Sequence, residues 1–157
     1  MGTCYRLSCG KCGYKFNAWL GSGMFSGFNI TIDNSKNFFR DAKIDEDIQR
    51  FFDENPEGVI FGGSNYFGIC VKCGNYQMVT SMTMYIPKEG CSLRAEDTAI
   101  FFDDKIKSIQ KYVHKCNKCG GELEIFSESD LHNSGENSWK CPKCNTPMML
   151  KWTGLWD

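Results

Sequence analysis

Apolar and polar residues alternate with a period of two along much of this chain, which is the pattern of half-buried β-strands. The longest alternating run is 76–86, where large apolar residues and threonine take every second position before Pro87 ends it. Shorter runs occupy 5–7, 14–16 and 123–126. Two short strands are expected at 59–61 and 66–70 around a glycine turn, and a polar loop is expected after 126. The pattern predicts a small, mainly antiparallel β protein, because short strands separated by turns pair most readily with their neighbours.

One segment departs from this period. Between 35 and 55 apolar residues recur at three- and four-residue intervals, which is typical of an amphipathic helix. Three acids at 45–47 favour a helix start, and Asn-Pro-Glu-Gly at 55–58 is a stop signal. We therefore expect a helical insertion, at about 21–65, in an otherwise β-rich chain. The segment 99–112 fits a helix or a strand.

Four Cys-x-x-Cys pairs interrupt the predicted strands. They are Cys9/Cys12, Cys70/Cys73, Cys116/Cys119 and Cys141/Cys144. Two intervening residues let a tight turn, here called a knuckle, aim two thiolates at one metal ion, and two knuckles complete a tetrahedral site. The sequence thus predicts two metal sites with these eight cysteines as ligands. Cys4 and Cys91 are left over and are expected to be free thiols.

The residues around each pair agree with this interpretation. Glycine follows three of the pairs and Asn145 follows the fourth, which suits a position that needs a positive φ. A lysine precedes every second cysteine, at positions 11, 72, 118 and 143. Because a four-thiolate zinc site is formally −2, these ammonium groups offset its charge, and their recurrence does not by itself indicate nucleic acid.

The pairing of the four knuckles has two solutions. In the sequential arrangement the first knuckle joins the second and the third joins the fourth. In the nested arrangement the first joins the fourth and the second joins the third. Only 21 residues separate Cys119 from Cys141, close to the roughly 15–20 of a self-contained site. We therefore favour sequential pairing.

Composition narrows the class of protein. The net charge is −1, whereas dedicated DNA-binding domains are usually strongly basic. No apolar run approaches the roughly 18 residues of a membrane span, and the first residues lack the apolar core of a signal peptide. Regularly paired cysteines suit metal chelation better than a secreted disulfide framework. We expect a cytoplasmic, reduced, metal-bound protein that does not bind membranes.

The knuckles and their flanking strands carry a family resemblance. The segment 116–152 resembles a zinc ribbon, and the first half resembles the same fold with a long insertion between its knuckles. The whole chain resembles small bacterial tandem zinc-ribbon proteins. This resemblance implies two Zn²⁺ ions, with iron not excluded. It also implies an N-terminal ribbon at 1–86, a connecting segment at 87–111 and a C-terminal ribbon at 112–157.

These observations favour a non-catalytic zinc-binding structural or interaction module. Four-cysteine sites leave no coordination position for substrate, and the sequence carries no recognised nucleophile–base set or phosphate-binding loop. The first alternative is a rubredoxin-like iron protein for electron transfer, since the same ligands hold iron. Thiol–disulfide catalysis is the least favoured, because glycine-terminated knuckles between strands do not resemble a cysteine pair at a helix N-terminus.

A protein partner is favoured over nucleic acid. The segment 41–57 holds seven acids against two basic residues, a surface that would repel phosphate. Nucleic-acid binding is kept as an alternative because one stretch carries five positive charges and no acid. Its lysines are Lys105, Lys107, Lys111, Lys115 and Lys118.

Overall fold

Strands make up most of the regular secondary structure in the described part of the chain, as the period-two alternation predicts. The structure is a computed structural model that describes residues 2–22, 29–31, 42–91, 93, 104–135 and 138–156. In chain order the elements are β1 (Gly2–Ser8), β2 (Lys15–Gly21), β3 (Asn29–Ile30), α1 (Ala42–Glu54), β4 (Val59–Cys70), β5 (Tyr76–Pro87), β6 (Ile106–Lys111), β7 (Leu123–Phe126), α2 (Glu128–Asn133) and β8 (Met149–Trp156). The fold is mainly antiparallel β with two short helices, which confirms the predicted class at this level.

The chain divides into two compact units. Unit 1 comprises 1–26, 64–81 and 113–157, and unit 2 comprises 27–63 and 82–112. Strands β4 and β5 run through both units. Unit 1 groups residues that the sequence-based division 1–86, 87–111 and 112–157 assigns to different segments; that division stays a prediction.

Unit 1 contains two three-stranded arrangements of the same design. In the terminal sheet, β1 lies between β2 and β8 and pairs antiparallel with both. In the central sheet, β4 lies between β5 and β7. The bridge between Gly21 and Asn65 joins β2 to β4. Each sheet therefore consists of a hairpin and a third strand that arrives from the C-terminal part of the chain.

Aromatic and aliphatic side chains form the core of unit 1. Tyr5 and Leu7 alternate inward along β1, and Ala18 and Leu20 do so along β2, so one face of the terminal sheet is buried. Phe67 is fully buried and contacts the rings of four aromatic neighbours. These neighbours are Phe16, Tyr76, Phe126 and Trp139. Burying such large rings gives a small domain much of its hydrophobic stabilisation.

Unit 2 buries one face of α1. Ile48, Phe51 and Phe52 follow the three- and four-residue spacing of the sequence and pack against Ile60 of β4 and Met82 of β5. A side-chain hydrogen bond also anchors the helix, since the hydroxyl of Tyr112 donates to Asp47 Oδ2 at 2.8 Å. The amphipathic pattern thus correctly locates the buried side of the described helix.

Two local expectations differ from the structure, and one that was left open is decided by it. β4 is one strand through the glycines at 62 and 63, where two short strands are expected. The ambiguous segment contains a strand, β6, whose pairing with β5 overrides its partly helical spacing. A loop is expected at 127–135, yet α2 forms there. The predicted helix residues 35–41, the glycine-rich stretch at 23–28 and residues 92 and 94–103 of the connecting segment lie outside the described residues.

Candidate metal centres

All four knuckles share one local structure. In each, the backbone N–H four residues after the first cysteine donates to that cysteine's carbonyl, at 2.8–3.0 Å. The first cysteine's own N–H donates to the carbonyl five residues ahead, at 2.8–2.9 Å. Two N–H groups also point at sulfur, from Cys73 to Cys70 Sγ and from Lys143 to Cys141 Sγ, each at 3.4 Å. The turn therefore presents its thiols together and stabilises negative charge on sulfur.

The residue that ends each knuckle adopts a positive φ. The angles are 72° at Gly13, 66° at Gly74, 69° at Gly120 and 56° at Asn145. Asn145 is the one non-glycine residue with positive φ among the described residues. This confirms the expectation drawn from the residues that follow each pair.

The eight cysteines gather into two groups of four. Cys9, Cys12, Cys141 and Cys144 form the terminal cluster, and Cys70, Cys73, Cys116 and Cys119 form the central cluster. Within each cluster all Sγ atoms lie within 4.8 Å of one another. The favoured sequential pairing is therefore wrong, and the knuckles are nested.

Strand pairing explains the nesting. β8 follows the fourth knuckle and pairs with β1 from Ser8 opposite Met149 to Gly2 opposite Trp156. β7 follows the third knuckle and pairs with β4, with Leu123 opposite Cys70. Each third strand therefore carries its knuckle to the hairpin it joins. The 21-residue spacer runs from one cluster to the other, so its length gives no indication of a self-contained site.

Both clusters fit a tetrahedral metal ion. The Sγ–Sγ distances are 3.5 Å for Cys9–Cys144 and Cys12–Cys141, and 3.5–3.7 Å for three pairs in the central cluster. Four sulfurs at about 2.3 Å from a zinc ion stand about 3.8 Å apart. A disulfide needs about 2.05 Å, and the cysteines are free thiols. The arrangement could thus hold one ion in each cluster.

The terminal cluster is built into the aromatic core. Cys9 and Cys141 are buried within the same hydrophobic cluster as Tyr76 and Trp139. The Tyr76 hydroxyl donates to the carbonyl of Lys140 at 2.9 Å, directly before the fourth knuckle. Burial raises the pKa of Tyr76 to about 12, which keeps this hydroxyl a donor. Apolar packing and one partly buried hydrogen bond therefore position these thiols.

The central cluster has two buried cysteines, Cys70 and Cys116, and polar contacts hold its knuckles together. The side chain of Gln77 donates to the carbonyl of Lys115 at 3.0 Å and accepts from the N–H of Asn117 at 2.8 Å. The amide of Asn75 donates to the side-chain oxygen of Asn117 at 3.0 Å. Gly121 packs closely against the second knuckle, because an added Cβ would lie 3.1 Å from Cys70 Sγ. Amides and backbone groups thus dock the third knuckle onto the second.

One thiol in each cluster is favoured as the thiolate. Burial opposes ionisation of Cys70, but the N–H groups of Cys73 and Lys72 and the neighbouring thiols of Cys119 and Cys73 together outweigh it and lower the pKa of Cys70 to about 6. In the terminal cluster the hydroxyl and the N–H of Thr146 lower the pKa of Cys144 to about 6.

Another thiol in each cluster is disfavoured as the thiolate. The N–H of Tyr14 favours ionised Cys12, but burial and the neighbouring thiols together raise the pKa of Cys12 to about 12. The N–H of Asn75 acts in the same way on Cys73, whose pKa is also raised to about 12. Four thiolates so close together repel one another, and a cation at the centre removes that repulsion.

The remaining cysteines and histidines lie outside both clusters. Cys4 and Cys91 are free thiols, as expected. His114 Nε2 lies 2.7 Å from the carbonyl oxygen of Thr80, so it replaces no ligand. His132, for which the sequence suggested no role, lies 2.6 Å from the hydroxyl of Tyr5 through its Nε2. A capping box at Ser127 and Asp130 starts α2 and brings this histidine to β1.

The five lysines proposed for nucleic acid are exposed but have different surroundings. Lys105, Lys107 and Lys111 lie along or beside β6 in unit 2. In unit 1, Lys115 Nζ lies 3.9 Å from Glu122 Oε1, and Lys118 belongs to the third knuckle. The acidic stretch that favoured a protein partner includes residue 41, which lies outside the described residues. Both partner interpretations stay predictions.

No helix in the described part of the chain is long and apolar enough to cross a membrane. Comparison with protein-family models, with curated proteins and with solved structures finds no match. The two four-cysteine clusters are consistent with zinc-ribbon-like motifs, and this likeness rests on the geometry of the knuckles and their sheets.

Proposed function

We propose that the chain is a non-catalytic zinc-binding module made of two interleaved zinc ribbons, whose metal ions support a surface for a macromolecular partner. The observation that carries this proposal is the repeated design of unit 1. In both sheets the knuckle at the turn of the hairpin meets another knuckle from the C-terminal part of the chain. That other knuckle leads directly into the third strand. The cysteine clusters stand at the corresponding end of each sheet.

The donor set supports zinc. Four thiolates in a tetrahedron suit Zn²⁺ or iron and exclude the hard cations that prefer oxygen. Zinc has no redox chemistry in proteins, so a zinc ion closed in by four sulfurs acts on structure rather than on a substrate. Structural zinc contributes on the order of 10 kcal/mol of apparent binding energy to folding. That contribution suits a chain whose cores are small.

Metal analysis tests the identity and number of the ions. The full chain, expressed in medium containing both zinc and iron, is purified without chelator and analysed by plasma mass spectrometry and absorbance. We expect two zinc ions per chain and no visible colour. A red protein with iron at stoichiometric level would support the rubredoxin-like alternative. One ion per chain, or none, would contradict the two-site proposal.

Paired-knuckle variants test the nesting. Changing the first and fourth knuckles together, C9S/C12S/C141S/C144S, removes one complete site and should leave one zinc per chain. Changing the first and second together, C9S/C12S/C70S/C73S, damages both sites and should leave none. Under sequential pairing the first variant would retain no zinc and the second would retain one. The two variants therefore serve as controls for each other. Zinc is counted by native mass spectrometry of each variant.

A further inference from the structure

The outer face of the terminal sheet is positively charged. On β1 and β2 the buried residues alternate inward, so Arg6 and Lys15 point to the opposite side. Lys151 of β8 lies on that side because it is the register partner of Arg6, and all three cations are exposed. The three strands contain these three cations and no acid. The chain as a whole is slightly acidic, with a net charge of −1. The positive charge is therefore a local property of this face.

Two of these cations are placed directly opposite each other. Arg6 of β1 and Lys151 of β8 are register partners, and Asn17 is the partner of Arg6 on β2. The guanidinium Nε of Arg6 donates to Asn17 Oδ1 at 2.9 Å, which aligns it on the sheet. Like charges opposite each other destabilise a sheet by a few tenths of a kcal/mol or more. A bound anion would relieve this repulsion.

Two tryptophans lie beside the cations on the same face. Trp19 of β2 is 51% exposed, and its ring centroid lies 6.3 Å from that of Trp156. Trp156 is fixed, because its indole N–H donates to the carbonyl of Leu20 at 3.1 Å. It covers Gly2, where an added Cβ would collide with the indole ring. The two rings are tilted by 51° to each other and form a preorganised aromatic platform.

A β-bulge keeps space open next to this platform. The register between β1 and β8 shifts between Cys4 and Tyr5, and Gly154 becomes the partner of Cys4. Gly154 has a φ of 144°, which strains any other residue, and nothing lies within 4 Å of its missing Cβ. Trp19, Cys4 and Gly154 lie side by side across the three strands. This row therefore ends in a glycine, which leaves a gap where a side chain would stand.

We infer that this outer face, consisting of Arg6, Lys15, Lys151, Trp19 and Trp156, binds single-stranded nucleic acid. The indole rings stack on bases, and the three cations contact phosphates. Stacking on an aromatic ring next to a basic track is the common way in which proteins hold unpaired strands. An exposed sheet face suits an extended strand, whereas duplex reading requires an element that enters a groove.

This surface differs from the lysine stretch predicted from the sequence. The predicted stretch is contiguous along the chain, while Arg6, Lys15 and Lys151 come from three strands and meet only through register. The inference rests on the proposed zinc module and names single-stranded nucleic acid as its partner. It depends on the terminal sheet, which the first and fourth knuckles hold together.

Fluorescence anisotropy of labelled oligonucleotides tests the inference. The zinc-loaded full chain is titrated into fluorescein-labelled oligothymidine, oligouridine and a mixed-sequence duplex at several salt concentrations. We expect both single strands to bind more tightly than the duplex. With up to three phosphates neutralised, log K should fall with log salt with a slope of about −2. The two single strands distinguish DNA from RNA as the preferred source.

Variants on the outer face sharpen the test. Trp19→Ala removes one stacking ring and should weaken binding by about 5- to 150-fold, with Trp19→Phe weakening it less. R6Q/K151Q removes two phosphate contacts and should bring the salt slope to about −0.7. All these side chains are exposed, so we expect zinc content and circular dichroism to stay unchanged.

Matched controls lie elsewhere on the molecule. Trp152 is 57% exposed and lies on β8, as Trp156 does. It stands opposite buried Tyr5, on the other side of the sheet. Lys107 and Lys111 are exposed on β6 in unit 2. Trp152→Ala and K107Q/K111Q should therefore leave oligonucleotide binding unchanged.

Three outcomes would overturn the inference. The first is absence of oligonucleotide binding by protein that carries two zinc ions, which would leave the proposed zinc module intact. The second is loss of binding in K107Q/K111Q but not in R6Q/K151Q, which would assign the site to β6. The third is a dimer in sedimentation that Trp19→Ala dissociates while oligonucleotide binding is absent, which would make the face a contact between copies.

Discussion

The two cysteine clusters use the same knuckles but gain their order from different surroundings. The terminal cluster shares a buried core with Tyr76 and Trp139, whereas the central cluster is held by Gln77, Asn75 and Asn117. The terminal cluster also joins distant segments, since 128 residues separate Cys12 from Cys141 and 42 separate Cys73 from Cys116. The same ligand set can thus be positioned by packing or by hydrogen bonds.

Because of this contrast, losing the metal ion from one cluster should affect folding differently from losing it from the other. A metal ion in the terminal cluster fixes a large loop and the hydrophobic core together, so its loss should spread through unit 1. Closing the longer loop alone accounts for about 1 kcal/mol of additional chain entropy. A metal ion in the central cluster fixes a shorter loop through contacts that water can partly replace.

The largest expected effect is loss of one first-half knuckle. C9S/C12S and C70S/C73S each leave one intact cluster, so each should retain one zinc. We expect C9S/C12S to lose more free energy of unfolding, because Cys9 belongs to the core. Thermal unfolding followed by near-ultraviolet circular dichroism measures the difference, with zinc content as the control. Lower stability of C70S/C73S would reverse the comparison.

The next effect comes from the core beside the terminal cluster. Trp139 is buried, its ring lies 5.1 Å from that of Phe67 and 5.0 Å from that of Phe126, and its N–H donates to Ser134 Oγ at 2.8 Å. Trp139→Ala should cost about 3–5 kcal/mol in chemical denaturation. Exposed Trp152→Ala serves as the control and should stay within about 0.5 kcal/mol of the natural protein. Equal costs would contradict the core assignment.

A smaller effect is expected from the polar bridge of the central cluster. Gln77→Ala removes one hydrogen bond to Lys115 and one to Asn117 and should cost about 1 kcal/mol. Zinc should then leave the central cluster faster under chelator competition, while the terminal cluster keeps its rate. Exposed Gln110 on β6 gives the control substitution Gln110→Ala. An unchanged release rate would show that the bridge does not position the third knuckle.

The smallest expected effect concerns pH and the terminal cluster alone. Thr146 Oγ1 lies 3.4 Å from Cys144 Sγ and lowers the pKa of Cys144, so Thr146→Val should raise that pKa. Protons then displace zinc at a higher pH, and the midpoint of acid-induced release should move upward by roughly half a unit. A colorimetric chelator follows the release.

Thr146→Ser keeps the hydroxyl and should retain the natural midpoint. An upward shift in the serine variant as well would assign the effect to packing instead. The release phase of the central cluster should not move in either variant, because Thr146 contributes only to the terminal one.

The sequence predicts local structure more completely than long-range pairing. The spacing of each cysteine pair and the glycine after it are local, and they correctly indicate the knuckles and their positive φ. Helix α2 was also locally encoded, in the capping box of Ser127 and Asp130, although the polar composition there suggested a loop. Which knuckle meets which depends on strand register between residues far apart, and spacer length carries no information about register.

The outer face of the terminal sheet shows the same limit. Arg6, Lys15 and Lys151 are isolated cations in the sequence and become neighbours only through two antiparallel pairings. The contiguous lysines at 105–118 are the more visible signal, yet along the chain they are spread over both units. Charge patterning along a chain therefore finds surfaces made by one segment and misses those made by several.

The nested pairing also sets an order of assembly. During synthesis the four central cysteines are all available once residue 119 has emerged, while Cys9 and Cys12 must wait for Cys144. At about 5–20 residues per second, the first knuckle waits roughly 7–26 s for its partner. A chain interrupted before residue 141 can fill only the central site. Its first knuckle, with Cys9 and Cys12, is then left without the other two ligands. Completion of the terminal site therefore requires that synthesis has passed residue 144.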